Sequence, residues 1–214
     1  YQYDGGAIYA EGLNATILNS YFGENKVIGN KARGGSMFIQ GDYLSLEGCT
    51  FNRCTAYEGG VIYINGSNAR IEDSSNTFSL AQSGSAIYVA GNNVTICHFN
   101  SSYANSTLKG GSIYIEGNDS NIFNSNFLRV YSLLGGAIYI SGDNAIVNES
   151  TFNYCMGNGT YEGGVGGAGG SIYVEGEDAT ISGSQFKFSS AANYGGAIYV
   201  GSASGEINIT KSTF

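Results

Sequence analysis

A glycine pair followed by alternating apolar residues recurs along the whole chain. The segments GGAIY, GGSMF, GGVIY, GSAIY, GGSIY, GGAIY, GGSIY and GGAIY begin at Gly5, Gly34, Gly59, Gly84, Gly110, Gly135, Gly169 and Gly195. Successive starts lie 29, 25, 25, 26, 25, 34 and 26 residues apart, so the unit is about 25 residues and two copies carry insertions. Apolar residues then fall two apart: Ile8 and Ala10, Met37 and Ile39, Ile62 and Ile64, Ile87 and Val89, Ile113 and Ile115, Ile138 and Ile140, Ile172 and Val174, Ile198 and Val200. A period of two is that of a strand with one buried face. The opposite parity carries a small residue, an aromatic, and then Glu11, Gln40, Asn65, Ala90, Glu116, Ser141, Glu175 or Gly201, which predicts a solvent-facing row.

Each unit continues with two further strand patterns. Past a glycine, or Ser202 in the last copy, come the inward pairs Ala15/Ile17, Leu44/Leu46, Ala69/Ile71, Val94/Ile96, Ser120/Ile122, Ala145/Val147, Ala179/Ile181 and Gly205/Ile207. The third pattern is marked by Phe22, Phe51, Phe78, Tyr103, Phe127, Phe152, Phe186 and Phe214. Two residues before each aromatic stands Ser20, Cys49, Asn76, Ser101, Ser125, Ser150, Ser184 or Ser212. Three short strands per unit, turned by glycine corners, predict an all-β parallel β-helix, a solenoid of about eight coils with three strands per coil. Residues 1–214 read as one domain, with no linker inside it. A helical repeat is disfavoured, because glycine and β-branched residues dominate and apolar i, i+3, i+4 spacing is missing.

GGAIYAEG, GGSIYIEG and GGAIYISG, each followed by NATI or a relative and then NSxF or ESTF, carry a family resemblance. The repeats resemble those of microbial adhesin-like proteins, including methanogen adhesin-like proteins and the GGAI/FxxN repeats of chlamydial polymorphic outer-membrane proteins. FxxN reads Phe22 with Asn25, and Cys54, Ala81, Ser106, Val130, Cys155 and Ser189 stand at the later equivalents. The resemblance spans all eight copies. It implies a right-handed, pectin-lyase-like β-helix displayed outside the cell.

Composition narrows the function. With Lys+Arg 9 and Asp+Glu 17 the net charge is −8, so the chain lacks the positive surface that neutralises phosphates, and nucleic acid is not an expected partner. No apolar run approaches the roughly eighteen residues of a spanning helix, so no membrane insertion is expected in this region. The absence of proline excludes collagen, and 42% hydrophobic residues argue against disorder. Neither end carries a polar cap, so further coils or a partner copy are expected to continue the stack, with head-to-tail fibre formation as one outcome.

Three groups of residues are candidates for function. The aromatic row Tyr9, Phe38, Tyr63, Tyr88, Tyr114, Tyr139, Tyr173 and Tyr199 reads as an outward stripe. Such a stripe serves self-association or sugar stacking, unless neighbouring rings cover one another as a cross-strand ladder that stabilises the sheet. Nine Asn-X-Ser/Thr sequons begin at Asn14, Asn65, Asn93, Asn100, Asn105, Asn118, Asn148, Asn158 and Asn208, about twice the number that chance placement gives, and suit a glycosylated extracellular surface. A loose acidic corner of Asp119, Asp143, Glu177 and Asp178 is a weak calcium candidate and otherwise a solvated ridge.

Other chemistry is sparse. Cys49 and Cys54 flank Phe51 and are the one local disulfide candidate; Cys97 and Cys155 lie in other coils. Cys49 replaces a core Ser, so a buried free thiol is the default reading there. No CxxC pair or Cys/His cluster suggests zinc. The one histidine, His98, has no acidic partner in its own strand, and Arg33, Arg53, Arg70 and Arg129 do not line up with the corner carboxylates. No catalytic residues and no cofactor are expected. The insertion Gly23 to Arg33, with Lys26, Lys31 and Arg33, and the glycine-rich Met156 to Ala168 are candidate recognition loops. These features describe an extracellular, cell-surface segment that is structural or adhesive and partners itself, a host surface or a glycan. A carbohydrate-binding module using the tyrosine row is the alternative, and a pectin-lyase-like polysaccharide-degrading enzyme a more distant one.

Overall fold

The computed structural model describes residues 4–158, 167–201 and 205–214. These residues form a parallel β-solenoid, and no helix long and apolar enough to cross a membrane occurs among them. Each coil contributes one strand to each of up to four parallel sheets. The first sheet stacks eight strands from Ile8–Ala10 to Ile198–Val200, and the second stacks eight from Thr16–Leu18 to Asn208–Thr210. The third holds seven, from Tyr21–Gly23 to Gln185–Lys187, and a fourth holds five, from Leu80–Ser83 to Ser190–Ala191.

Two expectations change here. The coil has four faces, because the residues after the third strand pair with the next coil before the glycine corner. The eight first-sheet strands bound seven full turns, and the eighth turn adds only its first two strands and a bridge from Thr213 to Gln185.

Register places like residues on like. Met37, Ile62, Ile87, Ile113, Ile138 and Ile172 form one fully buried ladder, and Leu46, Ile71, Ile96, Ile122, Val147 and Ile181 another. In the last copy the partner of Ile181 is Ile209, so the expected Ile207 is displaced by two residues. The glycine corner has a steric cause. Gly59 has φ +59, and a Cβ there would stand 2.3 Å from the Ile62 carbonyl oxygen. Although Gly48 and Gly183 also occur at the other corners, the left-handed residue there is most often not glycine, as with Asn68, Asp73, Tyr103 and Glu149. Their side chains leave the coil, so those corners cost only the left-handed backbone itself.

The third sheet departs from expectation in two coils. Its inward ladder runs Phe22, Phe51, Asn76, Ser101, Phe127, Phe152 and Phe186, not through Phe78 and Tyr103. Ring centroids lie 5.3 Å apart for Phe22 and Phe51, and 5.0 and 4.9 Å for Phe127–Phe152 and Phe152–Phe186. The column before it, read as small, holds Ser74 and Phe99 in those coils: the amide of Cys49 donates to Ser74 Oγ and that of Phe99 to Ser125 Oγ. Asn76 Nδ2 donates to Ser79 Oγ at 2.8 Å, and Ser112 Oγ to Ser101 Oγ at 2.7 Å, so the polar plug that interrupts the phenylalanines is hydrogen-bonded across the core. The third residue after each ladder position is accordingly Ser79 and Ala104, not Ala81 and Ser106.

Candidate functional site

The expected binding stripe is a covered ladder. Tyr9 at the first coil is 51% exposed, yet Phe38, Tyr63, Tyr88 and Tyr139 are buried, and Tyr114, Tyr173 and Tyr199 are half-buried. The row does face away from the main core, as predicted. Neighbouring rings cover each other, stacked at 5.4 Å for Phe38–Tyr63, 4.8 Å for Tyr63–Tyr88 and 4.8 Å for Tyr139–Tyr173, and edge-to-face where Tyr114 meets Tyr88 and Tyr139. Long side chains close over them. The Arg33 guanidinium, paired with Asp4 at 2.7 Å, lies 4.5 Å from the Phe38 ring centre, and Lys109 Nζ lies 4.3 Å from that of Tyr139. Tyr88 donates to Glu116 at 2.7 Å and Tyr139 donates to Glu175. Burial pushes both hydroxyls well above the ordinary tyrosine range, and the two carboxylates push them further. Strand alternation predicts the direction of these rings but not their cover, which comes from residues in neighbouring coils.

A different aromatic column is exposed. Where the chain leaves the third sheet, Arg53, Phe78, Tyr103, Arg129, Tyr154 and Phe188 occupy successive left-handed corners with φ between 52 and 59°. Phe78 is 46% and Phe188 68% exposed. Phe78 stacks on Tyr103 at 5.0 Å and Tyr154 on Phe188 at 4.6 Å. Arg129 fills the gap, its guanidinium 5.7 Å from the Tyr103 ring centre and 5.9 Å from that of Tyr154. Arg53 lies 5.9 Å from Phe78 and 3.6 Å from Glu24. Corners that project every fifth residue after the preceding corner hold this column rigidly. The strand pattern hides it, because that pattern places Phe78 and Tyr103 in the core.

On the other edge of the third sheet lies a depression of about 400 Å³ lined by Asp73, His98, Asn100, Asn124 and Asn126. His98 does have acidic partners, one coil away: its Nδ1 is 3.3 Å from Asp73 and 3.9 Å from Glu72. Glu72, in turn, receives Arg70 at 2.7 Å. Cys97 is buried beside Glu72, so a Cys/His/carboxylate cluster exists where none was expected along the strand. Burial raises the Cys97 thiol, Arg70 opposing. The signal lay in the period: Glu72 and Asp73 precede Cys97 and His98 by one repeat.

The acidic corner is structural. Asp143 Oδ1 accepts the Glu177 amide at 2.9 Å and Asp178 Oδ1 accepts the Glu206 amide at 2.9 Å. Asp119 Oδ1 accepts from Asn144 Nδ2 at 3.1 Å. Asp119 and Asp178 share the left-handed corner column, whereas Asp143 sits one position earlier, so the calcium candidates do not converge on one point.

Cys49 and Cys54 are both free and buried, which corrects the disulfide candidate. The strand Thr50–Asn52 separates them; the Cys49 thiol donates to the Glu47 carbonyl, whereas the Cys54 sulfur accepts from Ser36 Oγ. Of the sequon asparagines, Asn148 is half-buried with its Oδ1 accepting from Ser182, and Asn14, Asn65, Asn93, Asn100, Asn105, Asn118, Asn158 and Asn208 are exposed. Residues 159–166, within the second insertion and the Asn158 sequon, lie outside the described residues. In the first insertion Arg33 is committed to Asp4 and the aromatic row.

No protein-family model, no curated protein and no solved structure matches the chain.

Proposed function

We propose that the chain is a non-catalytic, structural and adhesive segment of an extracellular microbial surface protein, and that it meets other protein surfaces, a second rod included, through the exposed Arg/aromatic column. The observation that carries this reading is the run Arg53, Phe78, Tyr103, Arg129, Tyr154 and Phe188, held at rigid corners and open to solvent. Aromatic and arginine side chains are the residue types that dominate protein contact energies. The mode of stacking discriminates between partners. A sugar that stacks needs a free ring face, and here Phe78 covers Tyr103 and Tyr154 covers Phe188, so the column offers ring edges and guanidinium groups to a flat partner.

The adhesin-like resemblance of the GGAI repeats and the eight exposed sequon asparagines support the extracellular setting.

Sedimentation and electron microscopy of the wild type and of a Phe78→Ser, Tyr103→Ser, Tyr154→Ser variant test the contact. The expected result is concentration-dependent lateral association that the variant loses while it melts as a folded protein. A wild type that stays as single rods and binds cells no better than the variant overturns it. Protease treatment of intact source cells tests the location: release of peptides of this chain is expected, and full protection refutes surface display.

A further inference from the structure

Cys97 is anomalous among its neighbours. It faces outward from the second sheet in a column that otherwise holds Leu18, Glu47, Glu72, Phe123, Asn148, Ser182 and Thr210, yet it is wholly covered. The residue after it, His98, sits at a left-handed corner with φ 51, which carries its ring back toward the preceding coil. There Glu72 and Asp73 occupy the equivalent positions. Glu72 Oε2 is taken by Arg70 at 2.7 Å, which fixes the carboxylate with Oε1 toward the imidazole at 3.9 Å. Asp73 Oδ1 approaches the same nitrogen at 3.3 Å. Phe123 of the following coil closes one side, its ring centre 6.4 Å from that of His98.

The ligand atoms of Glu72, Cys97 and His98 lie within 4.8 Å of one another. Tetrahedral zinc, with sulfur at about 2.3 Å and nitrogen or oxygen at about 2.1 Å, sets its ligand atoms roughly 3.3–3.8 Å apart. Small side-chain rotations at this surface corner close that difference. We infer that Glu72, Asp73, Cys97 and His98 form a binding site for one divalent transition-metal ion of the zinc class, bridging two successive coils. The donor set selects the class: thiolate and imidazole suit zinc, cobalt, nickel and copper, whereas calcium and magnesium take oxygen ligands. Arg70 opposes a cation, and it is held on the carboxylate oxygen remote from His98. An ion here would clip coil to coil and stabilise the folded chain by mass action.

The test is a titration of the purified whole chain with cobalt(II), reading the thiolate-to-cobalt charge-transfer absorption, followed by zinc displacement and native mass spectrometry. One ion per chain, a charge-transfer band that zinc abolishes, and a rise in melting temperature with zinc are expected. Cys97→Ser should lose the band and His98→Ala should weaken binding by more than about a hundredfold, beyond the roughly 10–100-fold that the loss of an outer-shell partner costs. Serine is accommodated in the Cys97 column, as Ser182 shows, so the first variant is expected to fold. Cys155→Ser should keep the band. Absence of the band in the wild type, a band that survives Cys97→Ser, or equal zinc binding by the wild type and both variants overturns the site.

Discussion

Phe99 and Ser101 stand in each other's columns. Phe99 occupies the place that Ser74 and Ser125 hold in the adjacent coils, and Ser101 the place of Phe127 in the phenylalanine ladder. Both are buried, so the ring that is missing from one column fills space beside the other. Phe99→Ser is expected to cost about 3–5 kcal/mol as a large-to-small core change, and Ser101→Phe about 1–3 kcal/mol by overpacking. The double variant should cost less than the sum of the two. Urea unfolding of the cycle measures the coupling, and strict additivity would show that the two sites do not share volume.

The exchange also explains where sequence reading slipped. Phe78 and Tyr103 lie two residues past Asn76 and Ser101, and a shift of two preserves the strand alternation, so hydrophobicity alone favoured the aromatic as the core residue. Period decides otherwise: 25 residues separate Phe51 from Asn76 and Asn76 from Ser101. The GG-x-Ile-Tyr strands were legible because both period and parity agree there. The fourth sheet was not, since its strands are as short as Ser190–Ala191 and carry no repeated apolar signature. The His98 corner is formed by residues one coil apart and becomes visible only when the sequence is read across the repeat. Cover over the tyrosine row comes from Arg33, Lys109 and Glu116, whose reach no strand pattern records.

The buried tyrosines predict a steep alkaline transition. In the folded chain the Tyr88 and Tyr139 hydroxyls hold their protons well above the ordinary value of 10.0, because burial and a carboxylate partner both disfavour the phenolate. Tyr63, Tyr114 and Tyr173 are raised in the same direction by burial. The unfolded chain therefore loses these protons first as the pH rises past about 10, so the stability they represent is complete below that pH and is lost above it. Phenolate absorbance should appear together with loss of the β circular-dichroism signal. A Tyr88→Phe, Tyr139→Phe variant should unfold over a broader alkaline range. Ionisation of all tyrosines with the fold intact would contradict this.

The row should also behave as a structural and not a contact element. Replacing Tyr63 by Ser removes two stacked contacts, and Tyr88 by Ser one stacked and one edge-to-face contact, at about 0.5–1.5 kcal/mol per aromatic pair, together with buried apolar area, so a loss of about 3 kcal/mol or more is expected. Thermal unfolding measures it. A variant as stable as the wild type that loses association would restore the row as a contact surface.

Thiol chemistry offers an independent check on the core. Cys155 is fully enclosed and burial pushes its thiol up to about 12, so it carries almost no thiolate at neutral pH. In native buffer it should react with alkylating reagents more slowly than small-molecule thiols by orders of magnitude. In denaturant without reductant all four cysteines should be labelled, because all four are free. Intact mass counts the adducts, and two adducts in place of four would reveal a disulfide.

The corners, finally, are not interchangeable, although nearly all use a left-handed residue. At Gly59 an added Cβ meets the Ile62 carbonyl oxygen at 2.3 Å and the Ile62 carbonyl carbon at 2.7 Å, backbone atoms that are fixed by the first-sheet ladder. Tyr103, at φ 54, points its side chain into solvent against Phe78 and bears only the left-handed penalty. Gly59→Ala is therefore expected to destabilise by at least about 2 kcal/mol, the left-handed cost plus displacement of the strand. Tyr103→Gly should stay within about 1 kcal/mol of the wild type, since relief of the backbone offsets the lost ring stack. Urea midpoints at constant slope distinguish the two. Equal losses at both corners would mean that the glycine is required for its backbone angle alone, and that the close approach to Ile62 does not restrict the first sheet.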